Sequence, residues 1–108
     1  MQRLVLAALA MAGACAAAFA IDEKALERRG EALLNKNCAS CHAVGRTGAS
    51  PHPEAPAFRT LGQRYPVDSL EESLAEGIIS GHSDMPEFTF AAPDVGAIIA
   101  YLESIQEK

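Results

Sequence analysis

The sequence predicts a small all-α domain. Apolar residues recur every three or four positions in three segments, which is the spacing of one face of a helix. No segment shows the sustained alternation of apolar and polar residues that is typical of a half-buried strand. The length of 108 residues allows one domain of this kind. We therefore expect helices joined by loops, with no sheet and no internal repeat.

The first twenty residues are predicted to be a signal peptide that is removed from the mature chain. MQRLVLAALAMAGACAAAFA begins with a basic residue, Arg3, continues as an apolar stretch and ends in the pattern AFA at 18–20. The apolar stretch is shorter than the ~20 residues of a membrane-spanning helix. The alternatives are an uncleaved N-terminal anchor and a lipoprotein modified at Cys15. We expect export to the periplasm, with residues 21–108 forming the mature domain.

The mature domain would be acidic. The full chain has 9 basic and 14 acidic side chains, and the loss of Arg3 leaves a net charge of −6 with neutral histidines. A surface of this sign argues against a nucleic-acid partner, because phosphates require a basic face. The hydrophobic core of so short a domain is marginal. We therefore expect something besides side-chain packing to help hold it together.

Three helices are predicted along the mature domain. The first covers about 22–37 and ends where a pair of cysteines begins. The second covers about 68–80, where leucine or isoleucine recurs every four residues. The third covers about 93–106 and begins with a proline, which is favoured in a first turn. The segment 43–56 is rich in glycine, proline and serine and predicts a long loop, followed by a short helical turn at 58–62.

The stretch NKNCASCHAVG contains two cysteines three positions apart, with a histidine directly after the second. A structural zinc site would need a second pair of ligands, but His52 and His82 lie 30 positions apart. A thioredoxin-like centre places its cysteines after a strand, at the N-terminus of a helix, whereas this pair follows a helix. A disulfide between Cys38 and Cys41 would leave His42 unexplained.

Attachment of a c-type haem accounts for all three residues, because Cys-x-x-Cys-His is its attachment pattern. The thiols of Cys38 and Cys41 would add to the two vinyl groups of the porphyrin as thioethers, and His42 would then lie beneath the iron. Such attachment occurs outside the cytoplasm, which agrees with the predicted signal peptide. We expect one covalently attached haem c.

A six-coordinate haem iron needs a second axial ligand, and Met85 is the candidate. It is the one methionine of the mature domain and lies in the loop sequence GHSDMPEF. His82, in the same loop, is the competing ligand. We expect His42 and Met85 to bind the iron.

Over essentially the whole mature domain, the sequence resembles a small monohaem class I cytochrome c. The CASCH box, the DMPEF stretch and the terminal segment IIAYLESI carry this likeness. The resemblance implies the class I cytochrome c fold, in which three main helices and long loops surround one covalently attached haem. It also implies a close crossing of the first and last helices. The residues at that crossing would be Gly30, Leu34, Ile98 and Tyr101.

The resemblance further implies that a proline carbonyl accepts a hydrogen bond from Nδ1 of His42, which fixes the tautomer of this ligand. Pro56 is preferred because an apolar residue, Phe58, follows two places later, as in the family pattern. Pro51 and Pro53 are the alternatives.

The expected function is electron transfer, with no reaction catalysed. The partners would be redox proteins, namely a membrane-bound or periplasmic reductase and oxidase, and we expect a monomer without a stable membrane anchor. The familiar mitochondrial members of the family are basic around the haem edge, whereas this chain is acidic. An acidic docking patch on its partner is therefore not expected from the family pattern. The alternatives are the haem subunit of a larger dehydrogenase, and a haem-based peroxidase or gas sensor with an open sixth position.

Overall fold

The computed structural model describes residues 22–79 and 81–107. The predicted signal peptide at 1–20 lies outside these residues, as does the predicted end of the second helix at Ser80. Within the described residues the chain forms helices and loops, and its extended segments meet in a single isolated antiparallel bridge between Ile78 and Phe88. The prediction of an all-α domain is confirmed.

Five helical elements follow one another in the described part of the chain. α1 covers residues 22–37. Two 3₁₀ helices follow, at Phe58–Gln63 and Val67–Leu70. α2 covers Glu71–Glu76 and α3 covers Ala92–Ile105. Within the described ranges, no helix has both the length and the apolar character that a bilayer crossing requires.

The second helix is shorter than predicted, because the chain leaves it at Gly77. This residue has a φ of 125°, which glycine adopts more easily than other residues. A continued helix would join the amide of Ile78 to the carbonyl of Leu74. Instead, Ile78 donates to the carbonyl of Phe88 at 2.9 Å, and the Leu74 carbonyl accepts from the amide of Phe90 at 2.8 Å. Hydrogen bonds to a later loop thus replace the next helical bond.

α3 contributes half of the buried residues in the core cluster. Its proline lies in the first turn. An N–H at that position would have no partner within the helix, so its absence costs no helical hydrogen bond. The buried side chains of α3 are Val95, Ala97, Ile98, Ile99, Tyr101, Leu102 and Ile105. Six of them, all but Ala97, belong to one cluster with Leu34 of α1 and with Phe58 and Leu61 of the first 3₁₀ helix.

α1 and α3 approach so closely that backbone meets backbone. A Cβ atom added to Gly30 would lie 2.0 Å from the carbonyl oxygen of Ala97 and 2.9 Å from Cβ of Tyr101. Leu34, one turn further along α1, is only 3% exposed and lies in the same core cluster as Ile98. The helix crossing that the resemblance implied is therefore present, with Ala97 as the nearest neighbour of Gly30.

Polar contacts hold both ends of α3. Near its N-terminus, Arg29 of α1 donates a hydrogen bond of 2.5 Å to the carboxylate of Asp94. After its C-terminus, the Gln106 side chain donates to the carbonyl of Phe58 at 2.8 Å and accepts from the amide of Gly62 at 2.7 Å. These bonds fasten the first 3₁₀ helix to the end of α3 and so help to place Phe58.

We expect Gly30→Ala to lower the free energy of unfolding by about 3 kcal/mol, because the added methyl group meets a backbone carbonyl and forces the helices apart. Gly96→Ala is the matched control, since Gly96 is exposed on α3 and an added Cβ there meets no atom within 4 Å. That change should stabilise the protein by up to about 1 kcal/mol, as alanine is the better helix former. Urea unfolding measures both variants, and equal effects would contradict the close crossing.

Candidate functional site

The cysteine pair and His42 form a tight turn at the C-terminal end of α1. The amide of Cys38 donates to the carbonyl of Leu34 at 2.8 Å, as in a helix. The amides of Cys41 and His42 then both donate to the Cys38 carbonyl, at 3.2 and 2.9 Å. Two thiols and one imidazole are thereby gathered on a single turn of backbone.

The structure weakens the other interpretations of the cysteine pair. Cys38 and Cys41 are free thiols, both half-buried, so they do not form a disulfide. Burial, together with the neighbouring Cys41, raises the pKa of Cys38 to about 11. A dithiol redox centre needs the opposite shift, toward the thiolate. Among the described residues, no three Cys, His, Asp or Glu side chains are grouped to hold one metal ion, as a zinc site would require.

The ring of His42 is held by one hydrogen bond and one stacking contact. Its Nδ1 lies 2.7 Å from the carbonyl oxygen of Pro56. A carbonyl can only accept, so Nδ1 carries the hydrogen and Nε2 carries the lone pair that a metal ion would need. The ring of Phe58 stacks on the imidazole, with 4.5 Å between centroids. The proline that contacts His42 is thus the one that the sequence analysis preferred over Pro51 and Pro53.

The loop that follows His42 is tied to the core at successive positions. The amide of Ala43 donates to Oγ of Ser50 at 2.9 Å, and the carbonyl of Ala43 accepts from the amide of Phe58 at 3.0 Å. The hydroxyl of Tyr101 donates to the carbonyl of Val44 at 2.9 Å. Burial raises the pKa of Tyr101, so its hydroxyl keeps the proton that it donates. α3 thereby holds the chain just beyond the cysteine turn.

Met85 is half-buried in the loop between α2 and α3. Its amide donates to the carbonyl of His82 at 3.1 Å, which forms a turn at the tip of the loop. The base of the loop is closed by the hydrogen bonds between its two arms described above. Phe88 and Phe90, on the second arm, stack with 6.3 Å between ring centroids. The loop therefore places the thioether of Met85 close in sequence to two aromatic side chains.

The structure also brings together four polar side chains that the sequence analysis did not connect. His82, the competing iron ligand above, is hydrogen-bonded to Glu54, and Nε2 of His52 lies 3.3 Å from the carboxylate of Asp84. The hydrogen bond to Glu54 and the charges of Glu54 and Asp84 raise the pKa of His82. The available signal was a histidine followed two places later by a carboxylate in both loops, in HPE and HSD.

Comparisons with known proteins identify one family. Residues 25–102 match the family model described as cytochrome C oxidase, cbb3-type, subunit III. Cytochrome c-552 of Bradyrhizobium diazoefficiens is 32% identical over 98 residues, which cover 91% of this chain and 88% of that protein. Cytochrome c6 of Picosynechococcus sp. is 32% identical over 97 residues, covering 84% of this chain and 80% of that protein. No solved structure gives a significant match.

The chain belongs to this family and is a small monohaem c-type cytochrome. Its fold is the all-α class I cytochrome c fold, and its cofactor is a covalently attached haem c. It is an electron-transfer haem protein and not an enzyme. The predictions of family, fold class and cofactor are confirmed.

The residues in place fit haem c. Two free thiols lie on one turn, the adjacent imidazole has Nε2 available as a donor to iron, and a half-buried thioether lies in a separate loop. These are the donor types of a His/Met-ligated c-type cytochrome. The assignment of Cys38, Cys41, His42, Pro56 and Met85 to the haem remains a prediction.

We expect Phe58→Ala to lower the free energy of unfolding of the isolated protein by about 3–5 kcal/mol, because the buried ring packs on His42 and on the core. Phe58→Leu keeps most of the apolar volume and should cost about 1 kcal/mol. Urea unfolding of both variants provides the measurement. Equal losses in the two variants would show that the volume of the ring is not what matters.

Proposed function

We propose that this chain is a periplasmic carrier of single electrons, exported by its N-terminal signal peptide. Cys38 and Cys41 would hold the haem covalently, and His42 and Met85 would bind its iron. Bound haem supplies the reversible change of iron between the ferric and ferrous states. The observation that carries the proposal is the 2.7 Å contact between Nδ1 of His42 and the carbonyl of Pro56, directly after the cysteine turn.

The contact with Pro56 prepares His42 to act as a ligand. A histidine that binds a metal through Nε2 commonly donates its other N–H to a carbonyl or carboxylate, which orients the ring and makes it a stronger ligand. The stacked ring of Phe58 further limits rotation of the imidazole. A ligand that is already oriented needs little rearrangement when the iron changes its charge, and this favours rapid electron transfer.

Met85 is favoured over His82 as the second ligand. The His82 ring is engaged on both sides, since its Nδ1 accepts from the amide of Asp84 at 3.3 Å and its Nε2 is hydrogen-bonded to Glu54. Coordination through either nitrogen would break one of these bonds. A histidine and a methionine together give a higher reduction potential than two histidines, because the thioether favours ferrous iron.

The acidic surface indicates which partners the carrier meets. The mature domain has a net charge of −6, so encounter with a redox protein whose docking face is basic is favoured. Charges of this kind act mainly on the rate of encounter and are screened by salt over ~10 Å. Dependence of the transfer rate on ionic strength is therefore an expected property of the carrier.

The second candidate function is that of a haem-bearing subunit in a larger complex. It is favoured by the description of the matching family, which names a subunit of an oxidase. Sedimentation of the protein in extracts of its own cells separates the two candidates. A small free species supports the diffusing carrier, and stable co-migration with a membrane complex supports the subunit.

Covalent attachment through the two cysteines is the first test of the assigned residues. The haem of the exported protein should remain with the chain after denaturation and extraction with acidified acetone. In the double variant Cys38→Ser and Cys41→Ser, all of the haem should be extracted, because no thioether can form. Ser40→Ala, between the two cysteines, is the control and should retain its haem. Haem that stays bound without the cysteines would refute the assignment.

Ligation by Met85 is the second test. The oxidised wild-type protein should be low-spin, with the weak near-infrared band of a Met-to-ferric-iron bond, and the reduced protein should not bind carbon monoxide rapidly. In Met85→Ala the band should vanish, carbon monoxide should bind readily, and the potential should fall by roughly 0.1 V or more, within the ~0.8 V that axial ligands span.

His82→Ala is the control for this substitution and should keep the near-infrared band. If the wild-type protein lacks the band and His82→Ala changes its spectrum instead, His82 is the ligand. A high-spin wild-type spectrum with ready binding of carbon monoxide would indicate an open sixth position, and hence the chemistry of a peroxidase or gas sensor.

A further inference from the structure

The segment 52–56 is fastened to the His42 side of the site at both of its ends. The amide of His52 donates to the carbonyl of Cys41 at 3.0 Å, and the carbonyl of Pro56 accepts from Nδ1 of His42 at 2.7 Å. Between these two points, the amide of Ala55 donates to the carbonyl of His52 at 3.1 Å. This segment is therefore a firm support on the side of the first axial ligand.

In the Met85 loop, the hydrogen bonds between the two arms lie at the base and not at the tip. The two hydrogen bonds that close the loop join Ile78 to Phe88 and Leu74 to Phe90, so they lie at its base. Beyond the base, Ile79 has a side chain that is 79% exposed. Local opening of the tip would leave these two hydrogen bonds intact.

Two reciprocal bridges join this tip to the firm support. His52 of the support reaches Asp84 at the tip, with 3.3 Å between Nε2 and the carboxylate oxygen. His82 at the tip reaches Glu54 of the support through its own Nε2. The two imidazole rings meet edge to face, with 5.5 Å between centroids. Each segment thus contributes one histidine and one carboxylate, and we call these four side chains the clasp.

Backbone contacts fix the hydrogens of the clasp. The amide of Glu54 donates to Nδ1 of His52 at 3.2 Å, and the amide of Asp84 donates to Nδ1 of His82 at 3.3 Å. Because Nδ1 accepts in both rings, the hydrogen of the neutral imidazole lies on Nε2, the atom that faces the carboxylate. Each bridge is therefore a hydrogen bond that the neutral ring donates to the carboxylate.

The clasp is a pair of bridges and not a metal site. As noted above, the described residues include no group of three or more ligand side chains suited to one metal ion. A metal at Nε2 would require the ring hydrogen at Nδ1, where each ring already faces a backbone N–H. The arrangement suits a mechanical connection between the two loops.

We propose that the clasp is a positioning device for Met85, in which His52, Glu54, His82 and Asp84 hold the Met85 loop against the segment 52–56. The inference rests on the proposed ligation by Met85. The clasp holds the turn at its first residue, His82, and at Asp84 within it, directly before Met85. Without the clasp the turn would be held less firmly, and Met85 would be exchanged more readily for an added ligand.

Exchange of Met85 for added imidazole measures this opening. In the oxidised holoprotein, imidazole can bind the iron only after Met85 has left, so the concentration that removes half of the near-infrared band reports the stability of the closed loop. Exposed ion pairs are individually weak, and each of Glu54→Ala and His82→Ala should strengthen apparent imidazole binding about 2- to 5-fold. Glu54→Gln keeps an acceptor oxygen at the same position and should restore most of the wild-type value.

Two comparisons distinguish the clasp from a general effect on charge or stability. Glu103→Ala removes the same charge from an exposed position on α3 and should leave imidazole binding unchanged. The double variant Glu54→Ala with His82→Ala should resemble either single variant, since both remove the same bridge. Urea unfolding should change much less than imidazole binding does.

The possible failures are distinct. A wild-type protein without the near-infrared band would refute ligation by Met85, and the clasp proposal would fall with it. A wild-type band combined with unchanged imidazole binding in Glu54→Ala and His82→Ala would refute the clasp and leave the proposed function standing. Fully additive effects in the double variant would show that the two side chains act independently, and this too would refute the bridge.

Discussion

The close approach of α1 and α3 at Gly30 is the constraint from which the geometry of the site follows. The two backbones meet there, and a single added carbon atom would lie 2.0 Å from the Ala97 carbonyl oxygen. α1 continues from this point directly into the cysteine turn. Four residues after Ala97, Tyr101 reaches across to hold the loop beyond His42. The crossing therefore sets the position of the cysteine turn relative to the core.

Hydrogen bonds to backbone carbonyls hold most of the site. They give the loops a defined geometry even though the loop sequences follow no regular pattern. The carbonyls of Cys38, Ala43, Val44 and Pro56 all accept hydrogen bonds from within the site. A backbone carbonyl is present whatever the side chain, so most of these bonds constrain the path of the chain and not its residue types. Pro56 is an exception, because its ring also restricts the conformation of the residue before it.

A small domain of this kind depends on its cofactor as well as on its own packing. In the core cluster among the described residues, half of the buried side chains come from one helix, α3. A covalently attached haem adds a large apolar surface to such a core. Within the described residues, no buried side-chain oxygen or nitrogen lacks a hydrogen-bond partner. The apolar surface of the cofactor and the polar pairing of the described residues thus add to a core that the short chain makes marginal.

The sequence alone determined the helical class, the extents of α1 and α3, and the haem c cofactor. Each of these rests on residues close together in the chain, either a helical period or the adjacent letters CASCH. Tertiary structure decided what depends on distant partners. Leu70, Leu74 and Ile78 carry a helical period, yet α2 stops at Gly77 because loop residues take the hydrogen bonds that a longer helix would use. The clasp was hidden for the same reason: HPE and HSD lie 30 residues apart, and only folding brings them into contact.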